Sequence, residues 1–360
     1  MLKIIDKYIL RRYLATFSVM LLLFIPIGIV IDVSEKVNRM IEKKVPFGEI
    51  LLYYVDFTIY FANLLFPIFL FLSVIWFTSK LANNTEIIAI LSSGISYKRF
   101  LRPYFIGATI VSLFTLIMGF FLVPKASKGF NDFRYQYLKG SSAQSRETND
   151  IFRQISPNEV IYISNYNYLS ETGFNFIYEK FEGNVLKERI QANRIKYDKK
   201  KKVYKLYNYK KRTIGELDDK LISINEYSKK FNFEPEDLTP VVYIAETMTL
   251  GELFDFIDKE KKKGNANINT YLVVLHKKFS LPVSAFILTI IAVSVSSMKR
   301  RGGMGVNLAI GICIAFTFVF FDKVFGTLAE KSSIPPVVAV WLPNFVFGIL
   351  AFYLLRNAKR

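Results

Sequence analysis

The chain is 360 residues long, 52% hydrophobic and 16% aromatic, yet 22% of it is charged, so apolar and charged residues must be segregated into blocks instead of mixed as in a soluble domain. The single cysteine, Cys313, and the single histidine, His276, exclude an internal disulfide and a cysteine–histidine metal cluster. Much of the net charge of +18 sits in short loops beside apolar blocks, which makes it a topology signal and not a nucleic-acid footprint.

A helix needs about 20 apolar residues to cross a hydrocarbon core of ~30 Å. In chain order, residues 15–33, 59–78 and 104–123 qualify, then 279–297, 304–321 and 337–355. Their internal prolines (Pro26, Pro67, Pro282, Pro343) are tolerable because neighbouring helices re-satisfy freed carbonyls. Asp32 and Glu35 follow the first block where a cleaved signal peptide would have small residues, so it is read as a retained span. Lys3, Lys7, Arg11 and Arg12, then Lys80, Lys98, Arg99 and Arg102, then Lys299, Arg300 and Arg301, then Arg356, Lys359 and Arg360 all fall on one side of a six-span arrangement. That side is expected to be cytoplasmic, with both termini there and the long 125–278 segment outside.

Four of the charges near the outer end of span one, Asp32, Glu35, Lys36 and Arg39, stand where it leaves the membrane. Charges at that depth usually face a bundle interior or a polar cavity. Lys36 and Arg39 either meet lipid phosphates, arginine by its two-pronged fork, or snorkel to the interface. Between spans two and three, residues 84–95 read as a short helix. Glu86 stands in its first turn, favourable for the helix dipole; Ile87, Ile90 and Leu91 share one face, and Gly94 suits a C-terminal stop. The stripe is expected either to seek a partner's groove or to lie on lipid.

Residues 125–150 are polar and begin as a helical extension of span three. Short β-branched or aromatic runs then follow at 160–163, 174–178, 185–190, 195–197, 203–209 and 222–224, separated by turn residues. That spacing predicts an antiparallel sandwich or jellyroll-like β domain. Its aromatic interior is either an ordinary core, which the sequence favours, or a slot for an acyl chain. Residues 250–263 form an amphipathic pattern, with Thr249 and Glu252 spaced as a capping box. Asp322 and Lys323 end span five as a mutual or inter-subunit ion pair, and Asp56 at the start of span two is another potential partner.

No phosphate-binding loop, nucleophile elbow or H-E-x-x-H pair occurs, and Gly302-Gly303-Met304-Gly305 reads as a turn and helix-packing feature. Hence no catalytic residues, metal or cofactor are assigned. If the protein moves something uphill, another subunit must hydrolyse the nucleotide.

Three stretches together resemble the lipopolysaccharide-export permease family LptF/LptG (YjgP/YjgQ). They are Asp6-Lys7-Tyr8-Ile9-Leu10-Arg11-Arg12 with Ile31–Glu35, then Asn84–Ser96, then Asp322-Lys323-Val324-Phe325-Gly326 with Ile334-Pro335-Pro336 and Trp341-Leu342-Pro343-Asn344. The similarity spans essentially the whole chain and is closer to the LptG branch. It implies residues 1–124 as spans one to three with a coupling helix near 84–95, 125–270 as a periplasmic β-rich domain, and 271–360 as spans four to six. It also implies a multi-pass protein of the bacterial inner membrane that draws lipopolysaccharide from the membrane and passes it to a periplasmic bridge. The implied partners are a second permease of the family, a dimer of an LptB-like ATPase and a single-span LptC-like protein. Glu86, Ile87, Ile90, Leu91 and Gly94 are the implied ATPase-coupling residues, while Asp32, Glu35, Lys36, Arg39 and Asp322 are candidates for the lipopolysaccharide cavity. One departure is that apolar Ile29 stands where some LptG proteins carry a lysine one turn earlier in span one. The residues alone leave two other readings open: an envelope scaffold or receptor, and a permease for another lipid or lipoprotein.

Overall fold

The computed structural model describes residues 3–138, 149–167, 170–199, 201–215, 218–233, 235–238, 243–262, 265, 268–297, 303–331 and 334–358. The basic loop Lys299, Arg300 and Arg301, Gly302, and Lys359 and Arg360 lie outside these residues. Two compact units result: 1–133 with 269–360, and 134–268.

The first unit is helical. It contains α1 (Ile4–Glu42), α2 (Phe47–Asn83), the short α3 (Glu86–Ser92), α4 (Tyr97–Ile117), α5 (Val123–Phe133), α8 (Ile268–Ser296), α9 (Gly303–Lys331) and α10 (Pro336–Asn357). Among the described residues, six helices are long and apolar enough to cross a membrane, three before the inserted unit and three after it. At 1.5 Å per residue a 39-residue α1 is about 58 Å long, roughly twice a hydrocarbon core. Its ends therefore carry charged residues out of the apolar layer. The third span also overshoots: α4 runs through a π-helical turn (Met118–Leu122) into α5. The polar stretch after residue 123 stays helical because Phe130 and Phe133 stack on Tyr53 of α2.

Two helices, one from each half, form the centre. In α8, 67% of the most apolar window is buried and in α2 44%, against 11% in α1. Leu70, Phe71, Val74 and Ile75 of α2 and Ala285, Leu288, Ile291, Ala292 and Val293 of α8 belong to one buried cluster. Small residues permit close approach, as where Gly107 of α4 lies under the Tyr13 ring of α1. The peripheral helices leave Leu22, Val30, Phe316 and Phe352 outward, an apolar surface that lipid can cover and water cannot. Three hydroxyls bond across helices: Tyr13 with Thr289 (3.1 Å), Thr78 with Tyr104 (3.0 Å), and the Ser112 hydroxyl donating to the Pro282 carbonyl (2.9 Å). Lys278 of α8 donates to the Gly119 carbonyl in the π-helical turn (2.8 Å).

The second unit is a six-stranded antiparallel sheet of β1 (Asn149–Ser156), β2 (Glu159–Asn167), β3 (Thr172–Glu182), β4 (Val185–Asp198), β5 (Val203–Thr213) and β6 (Lys220–Lys229). The strand order, which the sequence left open, is sequential from β1 to β6. Alternation puts Ile161, Ile163, Phe176, Tyr178, Ile190, Tyr204 and Leu206 on one buried face. Phe231, Phe233 and Leu238, which follow β6, pack in the same cluster as that face. Two elements depart from expectation. Residues 185–190 and 195–197 are parts of one 14-residue strand, β4, because the polar run between them continues the ladder to β3 and β5. Residues 149–156 form a strand that paired with β2, although only three of its residues are strongly apolar. Following the sheet, α6 (Pro235–Leu238) and α7 (Leu250–Lys262) complete the unit. The Thr249 backbone N–H (2.9 Å) and hydroxyl (2.8 Å) both donate to Glu252 at the start of α7.

Candidate functional site

The polar groups of the helical unit gather at its two ends. At the end that carries the chain termini, α3 hangs between α2 and α4 and is bracketed by two left-handed residues, Thr85 (φ 60) and Gly94 (φ 85). Glycine accepts that conformation without penalty. The Ile87, Ile90 and Leu91 stripe faces the helical unit itself: Ile87 is 2% exposed, and Ile90 and Leu91 pack on the same cluster. Ile87 is thus covered within the chain, while Ile90 and Leu91 stay partly exposed. Periodicity identifies an apolar face but not what covers it, and burying the face against α1, α2 and α4 removes it from water within the chain. The outward face is Ile88, at 53% exposure, with Ala89 and Ser92.

Glu86 is held from two sides. The Tyr8 hydroxyl of α1 donates to one carboxylate oxygen (3.0 Å) and the Asn84 amide to the other (3.2 Å). Arg12 lies 5.4 Å from the centre of the Tyr8 ring. Two residues before Tyr8, the buried carboxylate of Asp6 accepts both terminal nitrogens of Arg99 at 2.6 Å each and the Lys3 backbone N–H at 2.9 Å. This fork-on-fork pairing is charge-assisted and two-pronged, and so adds geometric specificity to its strength. Tyr8 and Asp6 were visible only as letters of the N-terminal signature. Nothing local in the sequence marks their partners, which lie 78 and 93 residues away.

At the opposite end, α1 splits its four candidate residues. Asp32 is buried and ion-paired with Lys36 one turn later. Tyr53 of α2 closes the triangle, accepting from Lys36 (3.0 Å) and donating to Asp32 (2.9 Å). The Lys36 ammonium lies within 6 Å of two ring centres, at 5.7 Å from Tyr53 and 5.9 Å from Phe130. Glu35 and Arg39 point outward. Asp322 of α9 pairs with Lys277 of α8 (3.2 Å), which reaches it across Gly326. Within the chain the partner is Lys277 and not the neighbouring Lys323, a residue that sequence distance had hidden. Asp56 packs against Gly129 of α5.

The sheet's core face also carries charge. Glu188 bridges Lys211 (3.1 Å) and Lys229 (3.8 Å), and Lys229 lies over the Tyr178 ring at 4.5 Å. Burial pushes the Tyr178 phenol upward, with Glu159 adding to it, and pushes Tyr209 up to about 12. Burial likewise lowers Lys229 from the ordinary lysine range.

These features define a class: a multi-pass membrane protein with three apolar helices either side of an inserted antiparallel β domain, and a short helix clamped at the foot of its bundle. The family model for the lipopolysaccharide export system permease LptF/LptG matches residues 7–357. The chain belongs to that family. Among its relatives, the lipopolysaccharide export system permease protein LptG of Escherichia coli K12 is 23% identical over 299 residues, 82% of each chain. The protein of the same name from Haemophilus influenzae is 20% identical over 297 residues, again 82% of each chain.

Proposed function

We propose that this chain is a permease subunit of an ATP-driven lipopolysaccharide exporter in the bacterial inner membrane. Both termini and α3 face the cytoplasm and the β domain faces the periplasm. A separate ATPase dimer docks on the outward face of α3, a second permease of the family completes the cavity, and a single-span partner stands beside the pair. Lipopolysaccharide leaves the membrane through that cavity and passes by way of the β domain to a periplasmic bridge. The observation that carries this reading is α3: an amphipathic helix whose inner stripe is spent on its own bundle while Ile88, Ala89 and Ser92 remain outward. Family membership supports the cargo.

The test is affinity purification from the native membrane with identification of the subunits. The wild-type chain brings down a cytoplasmic ATPase, and Glu86→Lys loses most of it, because the reversed charge loses both its hydrogen bonds and its carboxylate. Normal recovery of the ATPase with Glu86→Lys sinks the coupling assignment.

A further inference from the structure

The N-terminal signature has no task in the lipid route, yet its side chains converge on the foot of the bundle. Asp6 joins α1 to the start of α4 through the two-pronged contact with Arg99, and its carboxyl is 3% exposed. Tyr8 joins α1 to α3 through Glu86. Ile90 and Ile95 line the same small cavity as Asp6 and Arg99, and the fully buried Ile9 packs in the same cluster as Ile87. The short α3, seven residues long and entered and left through left-handed residues, is far below the length at which a helix holds itself. Its orientation is therefore set by what grips it.

We infer that Asp6, Tyr8 and Arg99 are positioning residues that fix α3 to α1 and α4, so that a push on α3 is delivered to the first membrane span and not absorbed by the loop. This rests on the reading of α3 as the ATPase-docking helix. Two links in series carry the load. One is Tyr8 to Glu86, which Tyr8→Phe removes while leaving the ring and its contact with Arg12. The other is Asp6 to Arg99, which Asp6→Asn weakens without changing side-chain size. A carboxylate–guanidinium pair resists bending in a way that an amide cannot, since the amide offers only one acceptor.

The experiment uses the full permease in nanodiscs with its ATPase bound. Hydrogen–deuterium exchange follows the amides of residues 86–92, and ATP hydrolysis is measured with and without lipopolysaccharide. For Asp6→Asn and Tyr8→Phe the α3 amides exchange about tenfold faster, as expected when a charge-assisted contact is lost. The stimulated-to-basal hydrolysis ratio falls toward one with the ATPase still bound. A merely structural defect would lower both rates together and leave their ratio alone. Exchanging the charges, Asp6→Arg with Arg99→Asp, recovers most of the ratio. Unchanged exchange in both single variants, an unchanged ratio, or a failed recovery each overturns the inference. Ile88→Asp separates it from the reading beneath it. If that variant leaves the ATPase bound, docking on α3 is wrong and the inference falls with it. If Ile88→Asp releases the ATPase while Asp6→Asn and Tyr8→Phe change nothing, the inference alone falls.

Discussion

Asp6 and Asp32 are both buried carboxylates of α1, one near each end of the helix, and each meets a cation and a polar partner from its surroundings. The resemblance ends there. Asp32 takes its cation from Lys36, one turn along the same helix, and the Tyr53 hydroxyl ties the pair to α2. Asp6 takes its cation from Arg99 on another helix. A pair closed within one helix neutralises charge and leaves helix positions free. A pair closed between helices fixes where they stand. The difference teaches that the number of charged contacts says little about a membrane bundle until the chain distance they span is known.

The comparison breaks most visibly at Asp6. Asp6→Ala takes the two-pronged carboxylate away from the part-exposed Arg99 guanidinium and unties α1 from α4. The thermal midpoint of the purified full chain in detergent should fall, and an unchanged midpoint would show the link to be ornamental. Lys36→Met is the matched test at the other end. Asp32 keeps the Tyr53 hydroxyl, so the expected fall is smaller, and a fall equal to that of Asp6→Ala would erase the distinction between the two ends. The smallest effect sharpens the contrast with the β domain, where titration replaces helix anchoring. Tyr209 titrates at about 12 against an ordinary 10.0, and Tyr178 is also raised. Their contribution is complete below the unfolded-state value and is lost as pH rises through the folded one. Lys229 runs the other way: its folded value is depressed, so its contribution grows as pH rises toward the ordinary lysine range and opposes the loss. With two phenols against one amine, melting of the β domain followed by tyrosinate absorbance should move to lower temperature from pH 10 to 12. A flat midpoint across that window would contradict the burial of these phenols.

The apolar blocks made the six spans legible, because the bilayer demands a run of fixed length and tolerates few charges in it. The β region was legible wherever Val, Ile, Tyr and Phe alternate. It blurred at Gln191–Arg194, where the middle of β4 is polar, and at β1, where partner strands and not side chains define the strand. The site was legible in its residues but not in its contacts. Glu86, Asp32 and Asp322 were each singled out, yet Tyr8, Tyr53 and Lys277, which hold them, were not. Spacing along one helix is written in a sequence; meetings between helices 17, 45 or 78 residues apart are not.

One consequence of the cross-half hydrogen bonds concerns how such a protein is put together. Tyr13 with Thr289, Tyr97 with Ser297, Ser112 with Pro282 and Lys278 with Gly119 all join helices from either side of the inserted sheet. The bundle is stitched across its own interruption, so covalent continuity through the sheet is a convenience and not a requirement. Closing a longer connection adds only a logarithmic entropy term. The sheet is thus a guest whose lengthening would cost its host little.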